Sequence, residues 1–346
     1  AALQADQTQI RALIDSINRI AEQTSFGTKR LLDGTSGISA AVTNPMRISG
    51  IFIGGLFNNF PTASGAVTLQ VTTAATRATI VGTRTFAAGT TLASLMGTPA
   101  GNVVINGYTI TANANETLGS FIDKINAVSH ITGVVAQYNE DTRSIELRHR
   151  EYGSQFSINL QDTAGIILNA PGSVTATGTD AVATVIANTV NGIQTVTFTG
   201  GQATGDSGLR LRDGYGNVIM LTEAGNDTSL AAAQVAIITA GLLQFQVGAN
   251  AGQFVRFSLM DVHASKLGTT VVPGKSLATI DVTQPNSTDE ALRIIDAAIA
   301  EISKMRGDMG AFQRYILESN IRSLNVAKEN VMASESTIRD ADFALE

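Results

Sequence analysis

The chain has 346 residues, a net charge of −6 at pH 7, 44% hydrophobic residues and no cysteine. The acidic balance argues against a nucleic-acid partner, and the lack of cysteine excludes disulfides, thiolate metal ligands and a cysteine nucleophile. No run of residues approaches the roughly 20 apolar residues of a membrane span. The length predicts two or three domains, and the 33 glycines predict many turns.

The first predicted element is an amphipathic helix. Ile10, Leu13, Ile17 and Ile20 follow one another at spacings of three and four, which predicts one apolar stripe. The pattern stops near Thr24, and no capping residue precedes it. We therefore expect the helix to pack through this stripe.

Residues 48–240 predict a β-rich region interrupted by two helices. Thr, Val, Gly and Ala dominate there, and several runs alternate in the manner of half-buried strands. Asn106-Gly107 lies between two such runs and predicts a hairpin turn. The first helix is expected over residues 116–129, with Leu118, Phe121, Ile122 and Ile125 on one face. The second is expected over SLAAAQVAIITAG, ending at Gly241.

The last part of the chain predicts a hairpin and then a very long helix. Residues 243–262 contain two strand-like runs around the Gly-rich stretch 248–252. From about residue 288 to 342 apolar residues recur mostly at spacings of three and four, a helix of roughly 80 Å at ~1.5 Å per residue. The final stretch SESTIRDADFALE contains no capping residue. Its last residue, Glu346, carries a charge unfavourable at a helix C-terminus.

Three blocks near the C-terminus resemble bacterial flagellin: MRGDMGAFQR (305–314), LESNIRSLNVAKEN (317–330) and ASESTIRDADFALE (333–346). The residues that match the flagellin pattern are Arg306, Gly310, Ala311, Gln313, Leu317, Glu318, Asn320, Leu324, Glu329, Asn330, Ser336, Ile338, Arg339, Asp340 and Asp342. Met309 and Tyr315-Ile316 depart from it and make the helix more apolar.

Three further segments carry the same resemblance. IDSINRIAEQTSFGTKRLLDGT is similar to the end of the second N-terminal helix of flagellins, and VGANAGQ (247–253) is similar to their hairpin motif. VVINGYTITANANETLGSFIDKINAVSHITGVVAQY resembles a small β-α-β module of flagellins and filament cap proteins. Flagellins also carry a further N-terminal helix and terminal segments that pair in the filament core. The resemblance therefore implies a flagellin lacking its polymerising ends, which would explain a helix that stops without a cap.

The resemblance implies an α+β fold. Residues 1–50 and 241–346 would form a long antiparallel helical rod with a β-hairpin, and residues 51–240 a β-rich outer insert. Residues 101–160 of the insert would be the β-α-β module. The implied function is that of a structural subunit of the bacterial flagellar filament, secreted and self-assembling for motility. The implied partners are further copies of the chain, an export chaperone, and hook and cap proteins. We expect no enzymatic activity, cofactor or metal.

The residues expected at subunit interfaces are Arg306, Gly307, Gly310, Phe312, Gln313, Asn320, Arg339, Asp340 and Asp342. Gly307 and Gly310 each cost roughly 1 kcal/mol relative to Ala inside a helix, which predicts a close contact with another helix or subunit. Arg306-Gly307-Asp308 spells a cell-adhesion tripeptide, but a helix denies it the loop conformation that adhesion requires.

Alternative functions rest on weaker signals. The acidic residues Asp206, Asp213, Glu223 and Asp227 could bind a metal, although a polar surface explains them better. His149 is expected at a solvated strand edge, and no HExxH motif is present. A flagellin-like adhesin or receptor for a surface polysaccharide is a second hypothesis. The insert offers tyrosines for sugar stacking, but no tryptophan.

Overall fold

The computed structural model describes residues 2–27, 29–241, 243–247, 253–284 and 287–339, and the fold is α+β, as predicted. The helices are α1 (Ala2–Gln23), α2 (Leu118–Ala127), α3 (Ser129–Thr132), α4 (Ser287–Ala311) and α5 (Glu318–Arg339). A 3₁₀ turn lies at Leu277–Thr279, and a π-helical segment at Phe312–Leu317 joins α4 to α5.

The first half of the strands runs up to the hairpin before α2. They are β1 (Ser25–Phe26), β2 (Lys29–Arg30), β3 (Gly37–Val42), β4 (Ile48–Phe52), β5 (Leu56–Phe57), β6 (Phe60–Pro61), β7 (Gly65–Thr73), β8 (Arg77–Val81), β9 (Gly101–Ile105) and β10 (Tyr108–Ala112).

The remaining strands lie between α3 and α4. They are β11 (Val134–Asn139), β12 (Ser144–Tyr152), β13 (Ser157–Asp162), β14 (Gly172–Thr177), β15 (Val182–Thr189), β16 (Gly192–Thr199), β17 (Arg210–Arg212), β18 (Val218–Leu221), β19 (Ala233–Ala240), β20 (Leu243–Gln246), β21 (Phe254–Phe257) and β22 (Leu259–Met260).

A nine-stranded sheet in the order β22-β3-β19-β7-β15-β16-β17-β18-β4 surrounds the first hydrophobic core. All its pairs are antiparallel except β22–β3. Strand β15 alternates buried and partly exposed residues throughout, because successive side chains of a strand point to opposite faces. Ile38 of β3 and Ile48 of β4 belong to the same core cluster, so the sheet curls around its own interior.

A second core lies between two smaller sheets, β10-β9-β13-β14 and β11-β12-β8, and helix α2. The helix predicted over residues 116–129 is confirmed as α2 followed by α3, and all four residues predicted on its inner face are buried. Thr117 caps α2 by accepting a hydrogen bond from the Ser120 backbone N–H at 3.2 Å. The hairpin at Asn106-Gly107 is also confirmed, between β9 and β10.

The second predicted helix, SLAAAQVAIITAG, is wrong. Residues 233–240 form β19, which lies between β3 and β7 in the nine-stranded sheet. Val235, Ala236 and Ile238 are buried, while Ile237 is exposed. The β-branched residues prefer a pleated surface, and pairing on both sides of the strand outweighs the helix propensity of the alanines.

Helix α1 forms as predicted, but its buried face differs from the predicted stripe. Ile14 and Ala21 are buried, whereas Leu13 and Ile20 are 64% and 57% exposed. Ile10 packs against a third core that includes Ala291 and Ile294 of α4. The helix is therefore held by a face rotated away from Leu13 and Ile20.

Hydrogen bonds fasten α1 to the segment that precedes α4. The Gln7 side chain donates to the Ile280 carbonyl at 2.9 Å and accepts from the Val282 backbone N–H at 2.8 Å. Asn18 accepts from the Ala264 backbone N–H at 2.9 Å. These bonds join α1 to residues between β22 and α4.

The C-terminal hairpin and long helix agree with the prediction where the structure describes them. Strands β20 and β21 pair antiparallel, and their connecting residues 248–252 lie outside the described residues. The helical path is continuous from Ser287 to Arg339 through the π-helical segment. Residues 340–342 of the predicted helix are also outside the described residues.

The predicted boundary near residue 50 falls inside the nine-stranded sheet. Strands β3 and β22 come from the predicted rod region, while β7 and β15 come from the predicted insert. The sheet therefore draws on both regions, and the division into rod and insert stays a prediction.

Candidate subunit interface

In the described chain, the far part of the C-terminal helical path, residues 321–337, is not buried against any other element. After Glu301 no described side chain is buried, and every residue from 321 to 337 is exposed. Apolar side chains occur throughout this stretch: Ile321, Leu324, Val326, Val331 and Met332. A helix that is well formed yet leaves such residues in water presents an interaction surface.

Exposed apolar residues continue toward the sheet. Leu13 and Ile20 on α1 and Leu292 and Ile299 on α4 are all more than half exposed. These four residues and the exposed apolar residues of α5 do not belong to the third core. Both terminal helical segments therefore keep apolar surface exposed to solvent. Such surface can be buried only against another chain or further sequence.

A groove of about 590 Å³ lies where the π-helical segment passes the nine-stranded sheet. Its walls carry Leu56 and Pro61 from the β5–β6 hairpin and Met305, Tyr315 and Ile316 from the helical side. Tyr315 is 71% exposed. The groove adds a concave apolar feature to an otherwise convex helical surface.

Among the predicted interface residues, Arg306, Gly307 and Gly310 lie exposed on α4. The tripeptide that begins at Arg306 is helical, as predicted, and its Asp308 accepts a hydrogen bond from Lys304 at 3.0 Å. No atom of the described residues lies within 4 Å of a Cβ built at Gly307 or Gly310. A close contact with another helix of the same chain is therefore not present there, and a subunit contact stays a prediction.

Phe312 is the predicted residue with the most defined surroundings. Its ring lies 4.5 Å from that of Phe257 and 5.9 Å from that of Phe245, measured between centroids. The hairpin β20–β21 is thus packed onto the π-helical segment through aromatic contacts. This contact links the end of the sheet region to the long helix.

The remaining predicted residues are spread along the helix. Gln313 is exposed, and Asn320 donates its side-chain N–H to the Ile316 carbonyl at 2.8 Å within the helix. Arg339 is the last residue of α5, and Asp340 and Asp342 lie outside the described residues. The seven described residues of this set are therefore spread along one helical path from α4 to the end of α5.

A buried polar network joins α4 to the sheet, and the sequence analysis missed it. Glu301 is only 8% exposed and accepts a hydrogen bond from the Gly268 backbone N–H at 3.0 Å. Burial raises the pKa of Glu301 to about 7, although the Gly268 hydrogen bond and the charges of Arg210 and Arg212 oppose this rise. Glu301 lies on the buried face of α4 with Ala291, Ile294 and Ala298, and no motif in the sequence indicated its burial.

Asp206 belongs to the same region and is buried, whereas the sequence analysis favoured a polar surface for it. It forms ion pairs with Arg210 at 2.6 Å and with Arg212 at 2.5 Å. Arg210 also donates to the Thr270 hydroxyl at 3.1 Å. The charge of Asp206 is thus compensated internally.

The other acidic candidates are also engaged by neighbours. Asp213 accepts from the Tyr215 and Asn217 backbone N–H groups, and Glu223 pairs with Arg77. Across the described ranges, no three His, Asp or Glu residues are arranged to hold a metal ion.

The expectation for His149 is wrong. It lies on β12, the middle strand of its sheet, is buried, and stacks on Phe156 at 5.1 Å between ring centroids. Burial lowers the pKa of this imidazole. Its strand is paired on both sides, so the surrounding charged residues of the sequence did not indicate an edge.

In the part of the chain that the structure describes, no helix has both the length and the apolar character needed to cross a membrane.

Two family models match this chain. Residues 292–346 match the bacterial flagellin C-terminal helical region, and residues 101–148 match the flagellin hook IN motif. The first covers most of α4 and all of α5. The second covers the region from β9 to β12, including α2.

Relatives with assigned names match about a third of the chain. A flagellar filament 30.7 kDa core protein of Treponema maltophilum is 33% identical over 109 residues, which are 32% of this chain and 38% of that protein. A flagellar filament 33 kDa core protein of Treponema phagedenis is 40% identical over 102 residues, or 30% and 35%. A flagellin of Halalkalibacterium halodurans is 37% identical over 108 residues, or 31% and 37%. The matches thus span little more than a third of the length of these relatives.

Among solved structures, the D2-D3 domains of the flagellar cap protein FliD from Escherichia coli are similar at 18% identity, covering 59% of this chain and 99% of that one. The TM-score is 0.35, which is too low to carry an argument about the fold. Recognition depends instead on the two family regions and on the filament proteins, which agree with each other. On this basis residues 101–148 and 292–346 carry regions characteristic of bacterial flagellins.

Proposed function

We propose that this protein is a structural subunit of the bacterial flagellar filament, and that it assembles helically through contacts between different surfaces of neighbouring copies. Such heterologous contacts produce an open helical polymer when their rotation does not close a ring. The observation that carries the proposal is the exposed stretch 321–337 of α5 with its apolar side chains. The relatives described as flagellins and filament core proteins support the same function.

An unpartnered helix of this kind is costly to maintain in water. Isolated helices gain little stability from hydrogen bonding alone and depend on packing of an apolar face. Burying one Leu, Ile or Val side chain contributes about 1.5–3 kcal/mol, so a few of the exposed residues are enough to stabilise a contact between subunits. Assembly would supply the partner surface that the single chain lacks.

The finer architecture is part of this proposal. Residues 1–50 and 241–346 form an antiparallel helical rod that makes the polymer contacts, and residues 51–240 form an outward-facing insert. Residues 101–160 are the β-α-β module of that insert. The packing of Ile10 on Ala291 and Ile294 supports the pairing of the two terminal segments.

The predicted interface residues are assigned to these polymer contacts. The open space around Gly307 and Gly310 leaves room for a close approach by a neighbouring copy. An export chaperone and the hook and cap proteins are further proposed partners. A location outside the cell, in the flagellum, follows from the same function.

Filament formation by the complete gene product tests the proposal. Ile321→Asp combined with Leu324→Asp places two charges on α5. Both side chains are exposed, so the substitutions should not reduce the folding stability of the single chain. Electron microscopy should show filaments for the unmodified protein and none, or far fewer, for the double variant.

The matched control is Ile131→Asp, which changes an equally exposed apolar residue on α3 of the insert. This variant should still form filaments. Unchanged melting of both variants would show that folding is intact. Normal polymerisation of the double variant would contradict the assignment of α5 to the subunit contact.

A further inference from the structure

The sequence contains two Asn-Gly dipeptides, and both lie at hairpin tips. Asn106-Gly107 connects β9 to β10. Asn191 lies in the turn between β15 and β16, and Gly192 is the first residue of β16. An asparagine followed by glycine is chemically vulnerable because glycine has no Cβ to keep its backbone nitrogen away from the preceding side chain. The two sites share this local sequence, so any difference in their reactivity must come from the fold.

The side chain of Asn106 is fixed by three hydrogen bonds to backbone atoms. Its Nδ2 donates to the carbonyls of Thr132 at 2.8 Å and Ser157 at 3.1 Å. Its Oδ1 accepts from the Asn159 backbone N–H at 2.8 Å. The amide faces away from its own main chain and cannot turn toward the Gly107 nitrogen without losing these bonds.

The side chain of Asn191 is free in comparison. It is exposed, and its amide makes no hydrogen bond with any of the residues that the structure describes. Its backbone N–H donates to the Thr189 hydroxyl at 3.2 Å, and that hydroxyl donates to the Gly192 carbonyl at 2.8 Å. Among the described residues, no atom lies within 4 Å of the Cβ position of Gly192, so the space beside this glycine is open there.

We propose that Asn191 is a site of spontaneous deamidation in the folded protein, and that Asn106 is protected from the same reaction. The backbone nitrogen of Gly192 loses its proton and attacks Cγ of Asn191. The new N–Cγ bond forms as the Cγ–Nδ2 bond breaks, and ammonia leaves with the proton. Water then opens the five-membered imide at either carbonyl, which gives aspartate or isoaspartate. No oxidant or reductant is needed.

The product changes the tip of the β15–β16 hairpin. A neutral amide becomes a carboxylate, and the isoaspartate form lengthens the backbone by one carbon. The neighbouring Val190 N–H donates to the Pro61 carbonyl at 3.0 Å, so the altered turn adjoins the β5–β6 hairpin. Deamidation would therefore place a new charge beside the segment that lines the groove along the π-helical segment.

Peptide mass spectrometry of the folded chain, aged in mildly alkaline buffer, tests the proposal. Tryptic cleavage places Asn106 and Asn191 in separate peptides, because Lys124 and Arg150 lie between them. We expect Asn191 to deamidate at least about tenfold faster than Asn106, since even two hydrogen bonds broken first would slow Asn106 by that factor. Fragment spectra that distinguish aspartate from isoaspartate should show both products at Asn191.

Two controls make the comparison decisive. In concentrated urea the fold is lost, so the two sites should deamidate at comparable rates. Asn191→Gln, whose longer side chain does not form the five-membered ring readily, should leave Asn106 as the slow remaining site. Equal rates in the folded protein, or a rate at Asn191 no higher than at Asn106, would overturn the proposal.

Discussion

The carboxylate of Glu301 accepts a hydrogen bond from the Gly268 backbone N–H at 3.0 Å, and this contact ties the long C-terminal helix to the loop after β22. Both groups are buried, with Arg210 and Arg212 nearby on β17. A carboxyl group held in this position makes the stability of the junction depend on pH.

Glu301→Gln should remove that dependence. The pKa of Glu301 is raised from 4.5 to about 7 in the folded protein, so folding favours the neutral form. The neutral Glu301 side chain contributes its full stabilisation below pH 4.5. This contribution is lost as the pH rises through about 7. The variant should become more stable than the unmodified protein across this window, by about 3 kcal/mol at most.

Urea unfolding at several pH values measures this difference. Glu329→Gln changes an exposed glutamate of α5 and serves as the control, with little change in the pH profile expected. A constant difference between Glu301→Gln and the unmodified protein at all pH values would show that Glu301 does not titrate in this range.

Asp206→Asn should destabilise the protein strongly. The substitution leaves Arg210 and Arg212 without their buried counter-charge, and loss of one partner from such a group costs about 3–5 kcal/mol. Asp308→Asn breaks the exposed pair with Lys304 and should cost less than about 1 kcal/mol. Thermal unfolding of the two variants compares them directly, and similar melting temperatures would contradict the structural role of Asp206.

Phe121→Ala tests whether α2 holds the second core together. Phe121 is fully buried in that core, so its removal should cost about 3–5 kcal/mol through lost burial and the cavity left behind. The control Ile131→Ala lies nearby on α3 but is 60% exposed, and it should cost about 0.5 kcal/mol or less. Denaturant unfolding provides the measurement, and equal losses in the two variants would argue against this packing.

Gly307→Ala and Gly310→Ala should strengthen the helix of the single chain. In the described part of the chain, a methyl group at either position would meet no atom within 4 Å, and Ala is favoured over Gly by about 1 kcal/mol inside a helix. Amide hydrogen exchange around these residues should slow by about fivefold for each variant.

The same two variants probe the proposed subunit contact when filaments are examined. If neighbouring copies approach closely at these glycines, assembly should weaken although each chain has become more stable. Filaments as abundant as those of the unmodified protein would show that the contact does not require glycine at these positions.

Local patterns predicted some elements well because burial and periodicity agreed in them. Leu118, Phe121, Ile122 and Ile125 recur at a helical spacing and are all buried in one core. The hairpin at Asn106-Gly107 also formed as expected, because the residues at its tip accept the positive φ angles that the turn requires.

Other features were decided by partners distant in sequence. Residues 233–240 contain alanines that favour a helix, yet this segment forms a strand because it pairs with β3 and β7. The stripe through Leu13 and Ile20 was apolar and periodic, but the core formed on the face of Ile14 instead. A periodic pattern does not distinguish a face buried within the chain from one left for another subunit.

The buried polar network could not be predicted for a similar reason. Asp206 and Glu301 are nearly a hundred residues apart in sequence, and neither lies in a motif that indicates burial. Their common feature, proximity to Arg210 and Arg212, exists only after α4 has packed against the loop between β22 and the 3₁₀ turn. Helix α5 was easier to predict, since a continuous helix carries its own periodic signal.

The pairing of β3 with β19 and β22 has a kinetic consequence. Residues 37–42 of β3 pair with strands that lie about two hundred positions later in the chain. Loop closure over such a distance is entropically costly, and domains dominated by long-range strand pairing fold slowly. The nine-stranded sheet can therefore be completed only after β19 and β22 have been synthesised. Until then, β3 is an unpaired strand that is exposed to misassociation.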